Sequence, residues 1–217
     1  KEGWEQDIAV DGVEAVDMFK ENADKYDLIT LDLNLPKKDG IQVAKEVRAI
    51  SPTVPIIMLT ARGSESDQVL GLGIGADEYV TKPFSPIALI ARIKALHRRV
   101  MMEEKPALPQ EKKQDYDIET EHLKISKSRR EVLFDAQPVT DLTPKEFDLL
   151  YTMAQKPKQV FSRDQLLELV WGYEYYGEER TVDAHIKKLR QKLEKVGAKV
   201  IQTVWGVGYK FDDSQAK

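Results

Sequence analysis

Apolar and polar positions in the first hundred residues alternate between two periods. Short apolar runs at 6–10 (QDIAV), 27–32, 54–59 (VPIIML) and 78–81 (EYVT) read as strands. The run at 27–32 is rich in apolar and β-branched residues and short enough to be buried on both faces. Helical spacing predicts helices near 12–22, 40–50, 65–75 and 85–99, the last carrying Ile90, Ile93 and Leu96 on one stripe. Strands and helices that alternate through short connections imply a parallel sheet with right-handed crossovers.

Beyond residue 100 the pattern changes. "VMMEEKPALPQEKKQDYD" (100–117) mixes charge with two prolines and has no sustained period, so it reads as a solvated linker, or as an extension of the preceding helix through Glu104. Short β-like pieces follow at 118–119, 123–126, 131–134 and 138–139, and then three helix signals. "TPKE" at 143–146 is a capping box with Pro144 at the first helical position, and "SRDQ" at 162–165 repeats the device. The third helix, about 179–196, sets Val182, Ile186, Leu189, Leu193 and Val196 on one face. A hairpin closes the chain, "KVIQTV" then "YKF", turned by "WGVG". There is no internal repeat.

Composition narrows the class. The 217 residues suffice for two modest domains, and 41% hydrophobic with 32% charged residues describes an ordinary globular protein. No apolar run approaches the ~20 residues a membrane span needs, and residues 1–20 lack a signal-peptide pattern. With no cysteine there is neither disulfide nor thiolate metal site, which fits a cytoplasmic protein. The net charge of −4 hides a segregation: segment 180–210 holds eight Lys or Arg against Asp183 and Glu194, which leaves −10 for the rest.

Three polar residues each end a predicted parallel strand: Asp32, Thr60 and Lys82. In an open α/β sheet ligands bind outside the carboxyl ends of the strands. There a carboxylate can accept a phosphoryl group as nucleophile, a hydroxyl can donate to a phosphoryl oxygen, and an ammonium can neutralise one.

The segments "LITLDLNLPKKDG", "PIIMLTA" and "GADEYVTKPF" resemble the receiver domain of bacterial two-component signalling, a flavodoxin-like doubly wound parallel sheet. The resemblance implies Asp32 as phospho-acceptor, Thr60 as the phosphate-sensing hydroxyl, Lys82 as the phosphate ion pair and Tyr79 as the switch aromatic. It further implies a cis bond between Lys82 and Pro83, and Mg²⁺ held by Asp32 and the Asn34 backbone carbonyl. The sequence opens at "KEGW", which corresponds to the end of the family's first helix. The family's first strand, its pair of Mg²⁺-binding acids and most of that helix are absent, so a truncated chain is expected, and one that does not autophosphorylate efficiently.

Residues 118–212 resemble the winged helix-turn-helix effector of the OmpR/PhoB class, notably in "LTPKEFDLL", "RTVDAHIKKLRQKLE" and "WGVGYKF". The expected division is therefore an α/β receiver at 1–99, a linker at 100–117 and an α+β winged helix-turn-helix domain at 118–213. The resemblance implies that 179–196 is the recognition helix and "TVWGVGYKF" the wing. Arg180, Thr181, His185, Lys187 and Arg190 then fall on phosphates, Ala184 and Lys188 face bases, and Tyr209 joins the interface. Gly206 and Gly208 permit the tight wing turn, and Trp205, where an arginine is common, is expected to pack. The wing sequence is also similar to that of regulators of respiratory genes in Gram-positive bacteria.

The partners so implied are double-stranded promoter DNA, a sensor histidine kinase, RNA polymerase and a second copy of the chain on phosphorylation; no membrane is implied. Asp77, Glu78, Arg92 and Arg99 are placed for intermolecular ion pairs in that dimer. Two other readings compete. A phosphohydrolase of the haloacid dehalogenase type wants a second carboxylate two positions after Asp32, where Asn34 stands, so the protein is read as a non-enzyme. An atypical regulator that binds DNA without phosphorylation stays open.

Overall fold

The computed structural model describes residues 3–61, 75–101, 116–172 and 179–214. The chain divides into two compact units, Lys1–Ile93 and Lys94–Lys217.

In the first unit β1 (Ile29–Asp32), β2 (Ile56–Ala61) and β3 (Glu78–Lys82) form a parallel sheet in that order. Asp32 pairs in register with Leu59, and Ala61 with Lys82, so all three strands end at one rim. Helix α1 (Gly12–Glu21) begins at Asp11, whose carboxylate accepts from the amides of Val13 and Glu14. Helix α2 (Gly40–Ile50) is capped by Asp39, and α3 spans Pro86–Met101. Val16 and Phe19 of α1, Val43, Ala44 and Val47 of α2, and Leu31, Ile56 and Met58 of the sheet share one core.

Two strand expectations need correction. Residues 6–10 form no strand: Ile8 and Val10 are each 72% exposed, while Asp7 is held by Lys25 and Tyr26. A strand needs a neighbouring ladder, and no described strand offers one to this segment. For the same reason β1 is not buried on both faces, because it pairs with β2 alone among the described residues and Thr30 is exposed. The helix expected at 65–75 lies, but for Gly75, outside the described residues, as does most of the expected linker at 100–117.

The second unit holds an antiparallel meander, β4 (Ile118–Glu119), β5 (Leu123–Ser126), β6 (Glu131–Phe134) and β7 (Gln137–Pro138). Helices α4 (Pro144–Ala154), α5 (Arg163–Trp171) and α6 (Arg180–Glu194) follow. The closing sheet has β10 (Gly208–Phe211) between β8 (Phe161–Ser162) and β9 (Ile201–Val204). Both expected capping boxes form, on Thr143 with Glu146 and on Ser162 with Gln165. β8 is too short for periodicity to reveal. The core joins Leu123, Ile125 and Phe134 of the meander to Phe147 and Leu150 of α4, Leu166 of α5, Val182, Ile186 and Leu189 of α6, and Phe211.

Candidate functional site

The rim of the parallel sheet holds the first site. Asp32 is the last residue of β1 and Lys82 the last of β3, and the lysine ammonium reaches across to donate to Asp32 Oδ2. Asp32 Oδ1 accepts from the Asn34 amide at 3.0 Å. The carboxylate side chain is 28% exposed, so an incoming group can reach it. Glycine sets its position: a Cβ at Gly40 would lie 2.2 Å from the Asp32 carbonyl oxygen, and the Gly40 amide donates to the Leu33 carbonyl at 2.9 Å. The spacing Asp32–Pro36–Gly40 thus presses the start of α2 against the end of β1.

Thr60 lies on β2 paired with Thr81, one row beyond Leu59, the partner of Asp32. Its side chain is buried and its hydroxyl donates to the Ala61 carbonyl at 3.3 Å. Tyr79 is half-buried against the first core, and the Lys82–Pro83 peptide is cis. Receiver domains generally take up phosphate with Mg²⁺, an ion that demands near-octahedral oxygen ligation. Among the described residues no group of three or more His, Cys, Asp or Glu converges on one point. Asp32 with the Asn34 carbonyl falls well short of such a site, so these residues do not by themselves fit the ion.

Three of the residues expected to form ion pairs between two copies have contacts within the chain. Asp77 is fully buried: it accepts from the Ile56 amide at 2.9 Å and from the Arg48 guanidinium at 2.9 Å. Arg48, which sequence reasoning missed, also donates to the Gly75 carbonyl at 2.8 and 3.0 Å and to the Val54 carbonyl. Glu78 is 4% exposed and faces Arg92 of its own chain at 3.6 Å. Within one chain, then, Arg48 and the Ile56 amide hold the Asp77 carboxylate, and Glu78 and Arg92 lie within ion-pair distance of each other. The Arg99 side chain lies outside the described residues.

The second site is α6 with the β9–β10 hairpin. Arg180 and Lys187 are exposed, and Ala184 and Lys188 partly so. Thr181 and His185 are not on that surface. They are 3% and 1% exposed, and the Nδ1 of His185 sits 2.8 Å from the Thr181 carbonyl while its ring meets Trp171 edge-on. The helical period turns them inward with Val182 and Ile186. Arg190 is also reassigned: it donates to the Ile201 carbonyl at 3.0 and 3.2 Å and to Thr203 Oγ1 at 2.8 Å, tying β9 to α6. Tyr209 is buried and donates its hydroxyl to Asp183 at 2.6 Å; burial first, then that bond, pushes its pKa up, so it stays a donor. Arg163 reaches Asp183 from α5 at 2.7 Å, so one carboxylate joins two helices and the hairpin.

Gly206 has φ +74°, as a tight turn requires, whereas Gly208 serves through close approach, since a Cβ there would lie 2.0 Å from the Phe161 carbonyl oxygen. Trp205 does not pack: it is 90% exposed. Lys145 is another residue the sequence concealed, fully buried beneath α5, with its ammonium donating to the Val170 carbonyl at 2.9 Å.

Residues 1–94 match the response regulator receiver domain, and residues 137–211 match the C-terminal domain of transcriptional regulatory proteins. The uncharacterized transcriptional regulatory protein YclJ of Bacillus subtilis is 54% identical over 213 residues, which span 98% of this chain and 90% of YclJ. The transcriptional regulatory protein SrrA of Staphylococcus aureus is 49% identical over 98% of this chain and 87% of its own. The solved structure of a RitR mutant superposes with TM-score 0.64 at 31% identity, covering 95% of this chain and 87% of that one. The chain belongs to the response regulators of the OmpR/PhoB type, a receiver domain followed by a DNA-binding domain. It is a transcriptional regulator of a two-component system, and both relatives are transcriptional regulatory proteins. Among the described residues no helix is long and apolar enough to cross a membrane.

Proposed function

We propose that phosphoryl transfer from a sensor histidine kinase to Asp32 controls binding of this protein to duplex promoter DNA. The observation that carries the reading is the Lys82 ammonium on the Asp32 carboxylate at the sheet rim. In the transfer a carboxylate oxygen of Asp32 attacks phosphorus, the P–N bond of the phosphohistidine breaks, and the departing imidazole takes up a proton. The product carries up to two negative charges beside Lys82, enough to bias a bistable surface. Thr60 is the hydroxyl and Tyr79 the aromatic proposed to respond. The receiver is taken as 1–99, the linker as 100–117 and the effector as 118–213. A phosphorylation-promoted homodimer would bring two α6 helices to half-sites about one helical turn apart, in reach of RNA polymerase.

On DNA, Arg180, Lys187 and Lys188 are proposed to meet phosphates and base edges, with Ala184 against a base and Thr181 through its backbone amide at the helix start. Treating the full-length protein with a small phosphodonor should add one phosphoryl group, and Asp32→Ala should abolish it; equal labelling of the variant would exclude Asp32. Lys187→Ala should flatten the dependence of log affinity on log salt with little change of sequence preference. A loss confined to one base position would contradict its phosphate role.

A further inference from the structure

The loop that leaves Asp32 for α2 contains a turn of an uncommon kind. The Lys38 amide donates to the Pro36 carbonyl at 2.7 Å around Lys37, whose φ is +62°. A three-residue turn of that left-handed sense is the rarer and strained form, and glycine or asparagine would occupy it at less cost than lysine. Contacts outside the turn must therefore hold Lys37 there. They come from the start of α1. The Lys37 ammonium lies 2.5 Å from Oδ2 of Asp11, the residue whose Oδ1 caps that helix. Beside this pair the Gly12 amide donates to the Pro36 carbonyl at 3.2 Å, and a Cβ at Gly12 would collide with the Lys38 carbonyl oxygen. All three residues of the turn thus rest on the first residues of α1, and the Asp11 carboxylate at the junction is buried.

The turn lies close to the chemistry along the chain. Asn34 stands two residues after Asp32 and two before Pro36, and its amide holds Asp32 Oδ1 at 3.0 Å. The turn therefore sets where that amide stands. Were Lys37 to relax to a right-handed conformation, residues 36–38 would swing off α1 and draw the Asn34 amide from the carboxylate. Oδ1 would lose its donor, and the attacking group its fixed direction.

We propose that Asp11 and Lys37 are positioning residues for phosphoryl acceptance: as an ion pair they brace the turn at 36–38 and, through the Asn34 amide, the Asp32 carboxylate. The role rests on the reading of Asp32 as the acceptor.

Three variants separate the brace from the helix cap. Asp11→Asn keeps a good cap but carries no charge for Lys37. Lys37→Met keeps the aliphatic stem and removes the ammonium. Lys37→Gly frees the left-handed turn of strain, so that the brace is no longer needed. In the full-length protein, Asp11→Asn and Lys37→Met should each slow labelling by a small phosphodonor about three- to five-fold, the scale of a pair whose lysine is 66% exposed. The double variant should be about as slow as either single one, because both remove the same interaction. Where Lys37→Gly is already present, Asp11→Asn should cost less than about 1.5-fold. The Asn34 amide proton, held downfield by the carboxylate, should move upfield in the ¹H–¹⁵N spectra of Asp11→Asn and Lys37→Met without any phosphodonor. A labelling rate for Asp11→Asn within about 1.5-fold of the parent overturns the proposal while Asp32 stands as acceptor. So does slowing without movement of the Asn34 amide, or equal slowing when Lys37→Gly is present. If the parent protein takes no label at all, the acceptor reading fails and this inference with it.

Discussion

Gly40→Ala tests how the acceptor carboxylate is positioned. The added methyl would sit 2.2 Å from the Asp32 carbonyl oxygen, 2.9 Å from the Leu33 Cα and 3.0 Å from the Asp32 carbonyl carbon, where ordinary contact begins at 3.4 Å. All three neighbours are backbone, so no side chain can swing aside. Either α2 or the end of β1 must retreat by roughly 1 Å, at an overpacking cost of about 1–3 kcal/mol. The retreat also strains the 2.9 Å bond from the Gly40 amide to the Leu33 carbonyl. A shift of about 1 Å in a reacting group can cost on the order of a hundred-fold in rate. Urea unfolding of the full-length protein reads the first effect, and the initial rate of labelling by a small phosphodonor reads the second. Both should fall together. A variant with stability within about 0.5 kcal/mol of the parent and an unaltered labelling rate would refute the idea that this approach positions Asp32.

Three further outcomes are expected. Arg48→Met leaves Asp77 charged and fully buried, which should destabilise the first unit by about 3–5 kcal/mol, whereas Asp77→Asn added to it should recover part of the loss; additive effects in a urea double-mutant cycle would contradict the pairing. Arg190→Met should weaken DNA binding by loosening the hairpin yet leave the salt slope intact; a slope reduced by about 0.9 would instead return Arg190 to a phosphate. His122 has its pKa raised first by its bond to Asp135, so its contribution is fully present below the unfolded value of about 6.5 and is lost as pH rises through the higher folded value. The stability of the second unit should therefore show a downward step over that window, and in His122→Gln the step should vanish under thermal unfolding at stepped pH.

Much of the architecture could be read from local pattern because the signals are themselves local. A capping box closes within one turn, so Thr143 with Glu146 and Ser162 with Gln165 were legible before any tertiary contact was known. The strand ends carrying Asp32 and Lys82 were legible too, since both follow apolar runs of strand length. The errors have a common source. Surface roles for His185, Arg190 and Tyr209 follow by position from the family resemblance, and a charged or polar residue looks alike in sequence whether it meets solvent or a buried partner. Lys145 shows the limit most sharply, because nothing in its neighbourhood along the chain distinguishes a fully buried ammonium from a solvated one.

By itself the sequence determined the periodicities, the caps, the order of strands and helices, and the chemical identity of the groups at the rim and on the basic helix. Tertiary structure alone decided which of those groups are spent on the fold. It joined Arg48 to Asp77 across 29 residues and Arg163 to Asp183 across 20, and it turned His185 inward while it left Trp205 outside. The physical reason is that burial and pairing depend on which surfaces meet in space, whereas residue type and spacing record only what each segment is able to do alone.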